Sequence, residues 1–120
     1  MLKIDQHDIG FGIVVLYVQG RLTLGRSAQD LEWKVEDLLK QQLPRVVFDL
    51  SELDFLDSTG IGIIVMCAAK LKEAGGGLRI AGARGGVAHT LNLCRVPDVA
   101  PTFEAVQEAA DSFAMASGAN

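Results

Sequence analysis

Basic clusters, long apolar runs and closely spaced cysteines are all missing from this sequence of 120 residues, and each absence removes a class of function. The formal net charge is −4, with no block of Lys or Arg to track a phosphate backbone, which argues against nucleic acid as a partner. The longest apolar stretches, Ile13 to Val18 and Ile61 to Ala69, fall short of the roughly 18 to 20 residues that a spanning helix needs. No direct insertion into a membrane is expected. The first residues alternate and carry Asp5 early, unlike the charged-then-apolar plan of a signal peptide, so a cytoplasmic location is expected. Cys67 and Cys94 lie in apolar helical contexts with no cysteine or histidine at metal-ligand spacing and read as two reduced core thiols, implying neither metal nor cofactor. His7 and His89 are the only histidines, and no Gly-x-Ser-x-Gly elbow accompanies them, so a Ser/His hydrolase finds no support.

What remains is a chain of one domain's length with 49% apolar residues and mixed charges, enough to build a core without disulfides. Leu2 and Ile4 alternate with Lys3 and Asp5 as a short strand, and Gly10-Phe11-Gly12 is a turn. Ile13 to Val18 is apolar at every position, as a strand covered on both faces would be. Gly20 to Arg26 reads as a loop, and Ser27 with Asp30 as a variant capping box for a helix from Ala28 to about Gln42, ended by Pro44. Ala28, Leu31, Val35, Leu38 and Leu39 form its buried stripe; Trp33 lies off it, either covering a loop or joining a partner surface. A strand over Val46 to Leu50, a helix from Ser58 to Ala74 closed by Gly75-Gly76-Gly77, and a strand over Leu78 to Ala81 follow. A short helix then runs around Val87 to Cys94, a brief strand falls near Val99-Ala100, and a last helix carries Phe103, Val106, Ala110 and Phe113. Helices alternating with strands predict a single α/β domain over residues 1–113, with a mixed sheet of four to five strands and about four helices. Residues 114–120 are expected to be a disordered tail.

The informative stretch is Asp49 to Gly62, where a strand hands over to a helix. Asp57, Ser58 and Thr59 can each accept a hydrogen bond from the unpaired N–H groups of the first helical turn, so one of them caps it. Gly60 and Gly62 leave the turn open to another molecule at a helix end that favours negative charge. Gly60-Ile61-Gly62 begins like a dinucleotide fingerprint, but the third glycine and the distal acid are missing. Asp49, Glu52 and Asp54 form an acidic rim before the helix.

The run Val47-Phe48-Asp49-Leu50, then Leu53-Asp54-Phe55-Leu56-Asp57-Ser58-Thr59-Gly60-Ile61-Gly62, resembles the signature of STAS domains, in particular the bacterial anti-sigma-factor antagonists. That resemblance implies a binding protein rather than an enzyme. Unmodified, it would bind an anti-sigma factor that is also a serine kinase and free the sigma factor. Phosphorylation at Ser58, or less readily at Thr59, would release it, and a serine/threonine phosphatase would reset it. The partner surface expected on this basis comprises Leu22, Thr23, Leu24, Gly25, Asp57, Ser58, Thr59, Gly60, Gly62 and Met66. The family's loop after the second strand usually reads Gly-x-Leu-Asp; here Gly20-Arg21-Leu22-Thr23 keeps a hydrogen-bonding group and removes a charge. Similar domains also serve as scaffolds in stressosome-like or lipid-transport assemblies, where the serine would be only a helix cap.

Overall fold

The computed structural model describes residues 2–118. Strands β1 (Leu2–Asp8) and β2 (Ile13–Leu22) precede α1 (Arg26–Lys40), β3 (Arg45–Asp49), β4 (Leu53–Leu56) and α2 (Ser58–Glu73). They are followed by β5 (Gly77–Ala81), α3 (Gly85–Leu93), a 3₁₀ turn at Val96–Asp98, β6 (Thr102–Phe103) and α4 (Val106–Gly118). The strand order is β1-β2-β3-β5-β6, with β1 antiparallel to β2 and the other pairs parallel. The mixed α/β architecture is therefore the expected one, with three differences: β4 forms where a turn is expected, the last strand is Thr102–Phe103 rather than near Val99-Ala100, and Phe103 lies in that strand and not on the last helix. The tail expected over 114–120 lies partly outside the described residues; within them the backbone is helical to Gly118.

The two-residue side-chain period of the strands sorts the helices into layers. Val14, Leu16 and Val18 of β2, Val46 and Phe48 of β3, and Leu78 and Ile80 of β5 pack with α1, α2 and α3 in the larger core. Ile13, Val15, Val47 and Ala81 face the other way, onto Ala109, Ala110 and Phe113 of α4. Arg79 also points to that side, its guanidinium 4.2 Å over the Phe113 ring and its Nε–H donating to Ser112 Oγ at 2.7 Å. Partial burial lowers its pKa below the usual arginine range.

Helix ends depart from the sequence reading in instructive ways. The α1 helix begins at Arg26 with Gly25 as its N-cap and no side-chain cap; Ser27 instead exchanges hydrogen bonds of 2.9 Å with the Thr23 backbone N–H and carbonyl, and Asp30 accepts from Arg26. Pro44 does not end α1. Gln42 does, at φ 60, where the Leu43 N–H donates to the Leu38 carbonyl and the Gln42 N–H to that of Leu39. The same motif closes α2 at Gly75, as the glycine run predicts. Lys70 of α2 bonds to Glu36 and lies 3.8 Å from Glu32, tying α2 to α1.

The site is positioned by β2. Its first half pairs with β3, from Ile13 opposite Arg45 to Tyr17 opposite Asp49. The Asp49 carboxylate then accepts the Ser51 N–H at 2.9 Å, turning the chain. It resumes as β4 on the same edge of β2, with Gly20 opposite Leu53 and Leu22 opposite Leu56 across a register shift. Residues 20–22 are therefore strand, not loop, and they bring the end of β2 against the start of α2.

Candidate functional site

The start of α2 is capped by Asp57, whose Oδ1 accepts the Gly60 N–H at 2.9 Å. Its second oxygen, Oδ2, accepts the Leu24 N–H at 3.0 Å, and its own N–H donates to the Leu22 carbonyl at 3.2 Å. One carboxylate thus joins the β2–α1 loop to the helix end. The Leu24 bond first, then that to Gly60, holds its pKa below the ordinary aspartate value. Asp57 does the capping, and Ser58 is the first residue of α2 and is exposed. Thr59 beside it is half-buried.

Not every expected surface residue is reachable. Leu22 is fully buried and belongs to the core, where such a side chain contributes about 1.5–3 kcal/mol. Gly60 is also buried: a Cβ there would lie 2.6 Å from the Leu22 carbonyl oxygen, so its missing side chain serves the packing of α2 on β2 rather than access. Gly62 is exposed, with nothing within 4 Å of a Cβ placed on it. Leu24 is 76% exposed, Gly25 is exposed and Thr23 half-buried. Met66 is half-buried, on the flank of α2 that Lys70 ties to α1.

The open face of α2 is the stripe Ser58, Gly62, Val65 and Ala69, all exposed and spaced to share one side of a helix. Phe55, exposed on β4, was missed because β4 itself was. The Arg21 guanidinium sits 4.5 Å over its ring. Arg26 is paired with Asp30 at 3.0 Å, so both of these arginines already have partners. A small-residue helix face, an apolar Leu24 and an exposed hydroxyl above a positive helix end make a surface suited to docking a protein and to carrying an anion.

Together, the sheet order and this capped helix start define a small α/β domain with an exposed hydroxyl at the N-terminal end of α2. A profile of the STAS domain matches residues 6–109, and the chain belongs to that family. No curated protein sequence gives a significant match. Among solved structures, an anti-sigma factor antagonist from Mycobacterium paratuberculosis is 25% identical, with a TM-score of 0.79 over 94% of each chain. TM1081 of Thermotoga maritima is 20% identical, with a TM-score of 0.82 over 92% of this chain and 93% of its own. The unphosphorylated form of the anti-sigma factor antagonist SpoIIAA, from Bacillus, is 17% identical with a TM-score of 0.69, over 92% and 96% of the two chains. The fold also occurs within a larger protein, the murine anion transporter Slc26a9, where it matches 18% of that chain at a TM-score of 0.69 and 15% identity. Among the described residues, no helix is long and apolar enough to cross a membrane.

Proposed function

We propose that this protein is a phosphorylation-switched antagonist of an anti-sigma factor, a binding protein of the cytoplasm without catalysis of its own. Unmodified, it docks an anti-sigma factor that is also a serine kinase, and the sigma factor is freed. The kinase transfers the γ-phosphoryl group of ATP to Ser58 Oγ, the complex dissociates, and a serine/threonine phosphatase restores the hydroxyl. The observation that carries this reading is the division of labour at the helix start. Asp57 caps with both of its oxygens engaged, and the neighbouring hydroxyl stands exposed beside Leu24 and the Gly62/Val65 face.

The energetics suit a switch. A phosphate adds about 1.5 to 2 negative charges at neutral pH, next to a carboxylate already held ionised. The N–H groups of α2 stabilise that charge while it faces water, whereas burying it against a docked protein carries a desolvation cost. Moving a complex from almost all bound to almost all free takes about 5.5 kcal/mol of differential affinity, within reach of a buried dianion. The deciding measurement is the intact mass of the protein after incubation with ATP and the cognate kinase: the mass of one phosphate is gained by the wild type and not by Ser58→Ala.

A second reading, a scaffold that does not switch, is favoured by Thr23. The loop that Asp57 holds carries no carboxylate of its own at the position where the family usually has one, and the fold is also built into a transporter. Under that reading, no candidate kinase labels the protein and Ser58→Asp leaves its assembly partner bound.

A further inference from the structure

At the end of the sheet opposite Ser58, where β2 begins, the β1–β2 hairpin presents Phe11 with 92% of its surface exposed. Its backbone lies at φ 58, between Gly10 at φ 90 and Gly12 at φ 71, a left-handed run that a bulky L residue adopts only against steric resistance. Water around the ring and strain in its backbone both oppose this arrangement in an isolated chain. Beside the hairpin lies a groove of about 680 Å³ between the sheet and α4, floored by Ile13, Val106, Ala110 and Phe113. Phe11 borders the groove and does not fill it. A cavity of about 150 Å³ already holds a benzene ring, so there is room for an aromatic side chain from outside. Arg45 and Asp111 stand at the same groove. Neither forms an ion pair among the described residues; Asp111 accepts one hydrogen bond, from Gln107 Nε2 at 2.9 Å.

We propose that the chain forms a two-fold homodimer in which Phe11 of each protomer enters the groove of the other and Arg45 of each meets Asp111 of the other. The choice of a second copy follows from what the patch contains. A two-fold contact uses the same surface on both sides, so that surface must complement itself. Here a projecting ring lies beside an apolar groove and a cation beside an anion, and a two-fold axis answers each of the four with another of them. The inference stands apart from the kinase reading, because both Ser58 surfaces remain at the far ends of the dimer.

The test is the mass of the full chain in solution by sedimentation or light scattering across a concentration series. The expected result is a rise from the protomer's 12.8 kDa toward twice that value. Phe11→Gly relieves the strained backbone and removes the ring; it is expected to weaken the dimer at least tenfold while raising the thermal midpoint of the dilute protein. Arg45→Asp and Asp111→Arg are each expected to give protomers with an unchanged far-UV spectrum, and mixing the two in equal amounts to restore the dimer, since every contact is again between opposite charges. The proposal is overturned if the wild type stays at the protomer mass up to roughly 1 mM, the weak end of the affinity scale. It is equally overturned if a dimer forms that ignores all three substitutions, or if the mixed, folded charge variants fail to associate.

Discussion

Asp57 and Leu24, 33 positions apart in sequence, are joined by one hydrogen bond of 3.0 Å from the Leu24 N–H to Asp57 Oδ2. The other oxygen of the same carboxylate is spent on the Gly60 N–H. A residue that looks like a local helix cap is therefore also a clasp between the start of α2 and the β2–α1 loop, which Ser27 holds as well through Thr23.

Asn at position 57 offers one acceptor oxygen where two are used, and its NH₂ opposes the second N–H. Asp57→Asn is expected to lower the thermal midpoint at neutral pH and to raise hydrogen exchange at Leu24. The pH dependence has a definite sign. The folded-state pKa is depressed, so the carboxylate's contribution is complete above the unfolded value near 3.8 and is lost as pH falls through the lower folded value. Midpoints of wild type and variant, measured by calorimetry from pH 7 downward, should converge below that range.

The two glycines of the first turns of α2 should respond to alanine with opposite signs. Gly60→Ala drives a Cβ to within 2.6 Å of the Leu22 carbonyl, a backbone atom that cannot step aside, and is expected to destabilise by about 1–3 kcal/mol. Gly62→Ala meets open space and removes the entropic cost of glycine in a helix, so it should stabilise by roughly 0.5–1 kcal/mol. Urea unfolding of both variants checks the pair. A kinase-binding measurement on Gly62→Ala then reads whether the bare helix face is used for close approach, in which case affinity falls while stability rises.

These glycines also mark where the sequence was legible. The helix start at Ser58 could be read, because three consecutive capping residues follow an apolar strand and precede a helical period. Which of the three caps could not, since all are competent and the choice is made by Leu24 arriving from a distant loop. Leu22 looked like exposed loop because Gly20 and Arg21 interrupt the apolar run of β2, yet pairing with β4 carries the strand through them to a buried Leu22. That short β4, with Asp54 exposed and an acidic turn before it, shows neither length nor alternation enough to be recognised alone. The end of α1 was assigned to Pro44, a residue with an obvious mechanism, whereas the turn is made earlier by Gln42 in a left-handed conformation that a glutamine does not advertise.

The two cysteines should separate cleanly in reactivity. Cys67 lies fully buried in α2, and burial pushes its thiol up to about 12, leaving almost no thiolate at neutral pH. Cys94, expected in the core from its apolar context, is instead exposed, because α3 ends at Leu93 and leaves it at the C-cap. Titration with a chromogenic disulfide reagent at pH 8 is expected to count one fast thiol in the native protein and two in denaturant. Two fast thiols in native buffer would mean that α2 opens from the sheet.

Ser58 is the residue on which a cap and a switch make different forecasts. If it capped α2, Ser58→Ala would cost about 1 kcal/mol. With Asp57 in that role, the change is expected to stay within about 0.5 kcal/mol, the range of ordinary surface substitutions. The same variant should retain kinase binding and lose the gain of phosphate mass. Ser58→Asp should fold normally, since an acid in the first turn agrees with the helix dipole, and should weaken kinase binding, since one added charge must be desolvated on docking. Its effect should be smaller than that of phosphate, which carries more charge and more oxygens. Calorimetric titration of the four proteins with the kinase should give the affinity order Ser58→Ala about equal to wild type, then Ser58→Asp, then the phosphorylated wild type. An Ser58→Asp variant that binds as tightly as the wild type would place Ser58 outside the contact surface and leave its exposure without a role in docking.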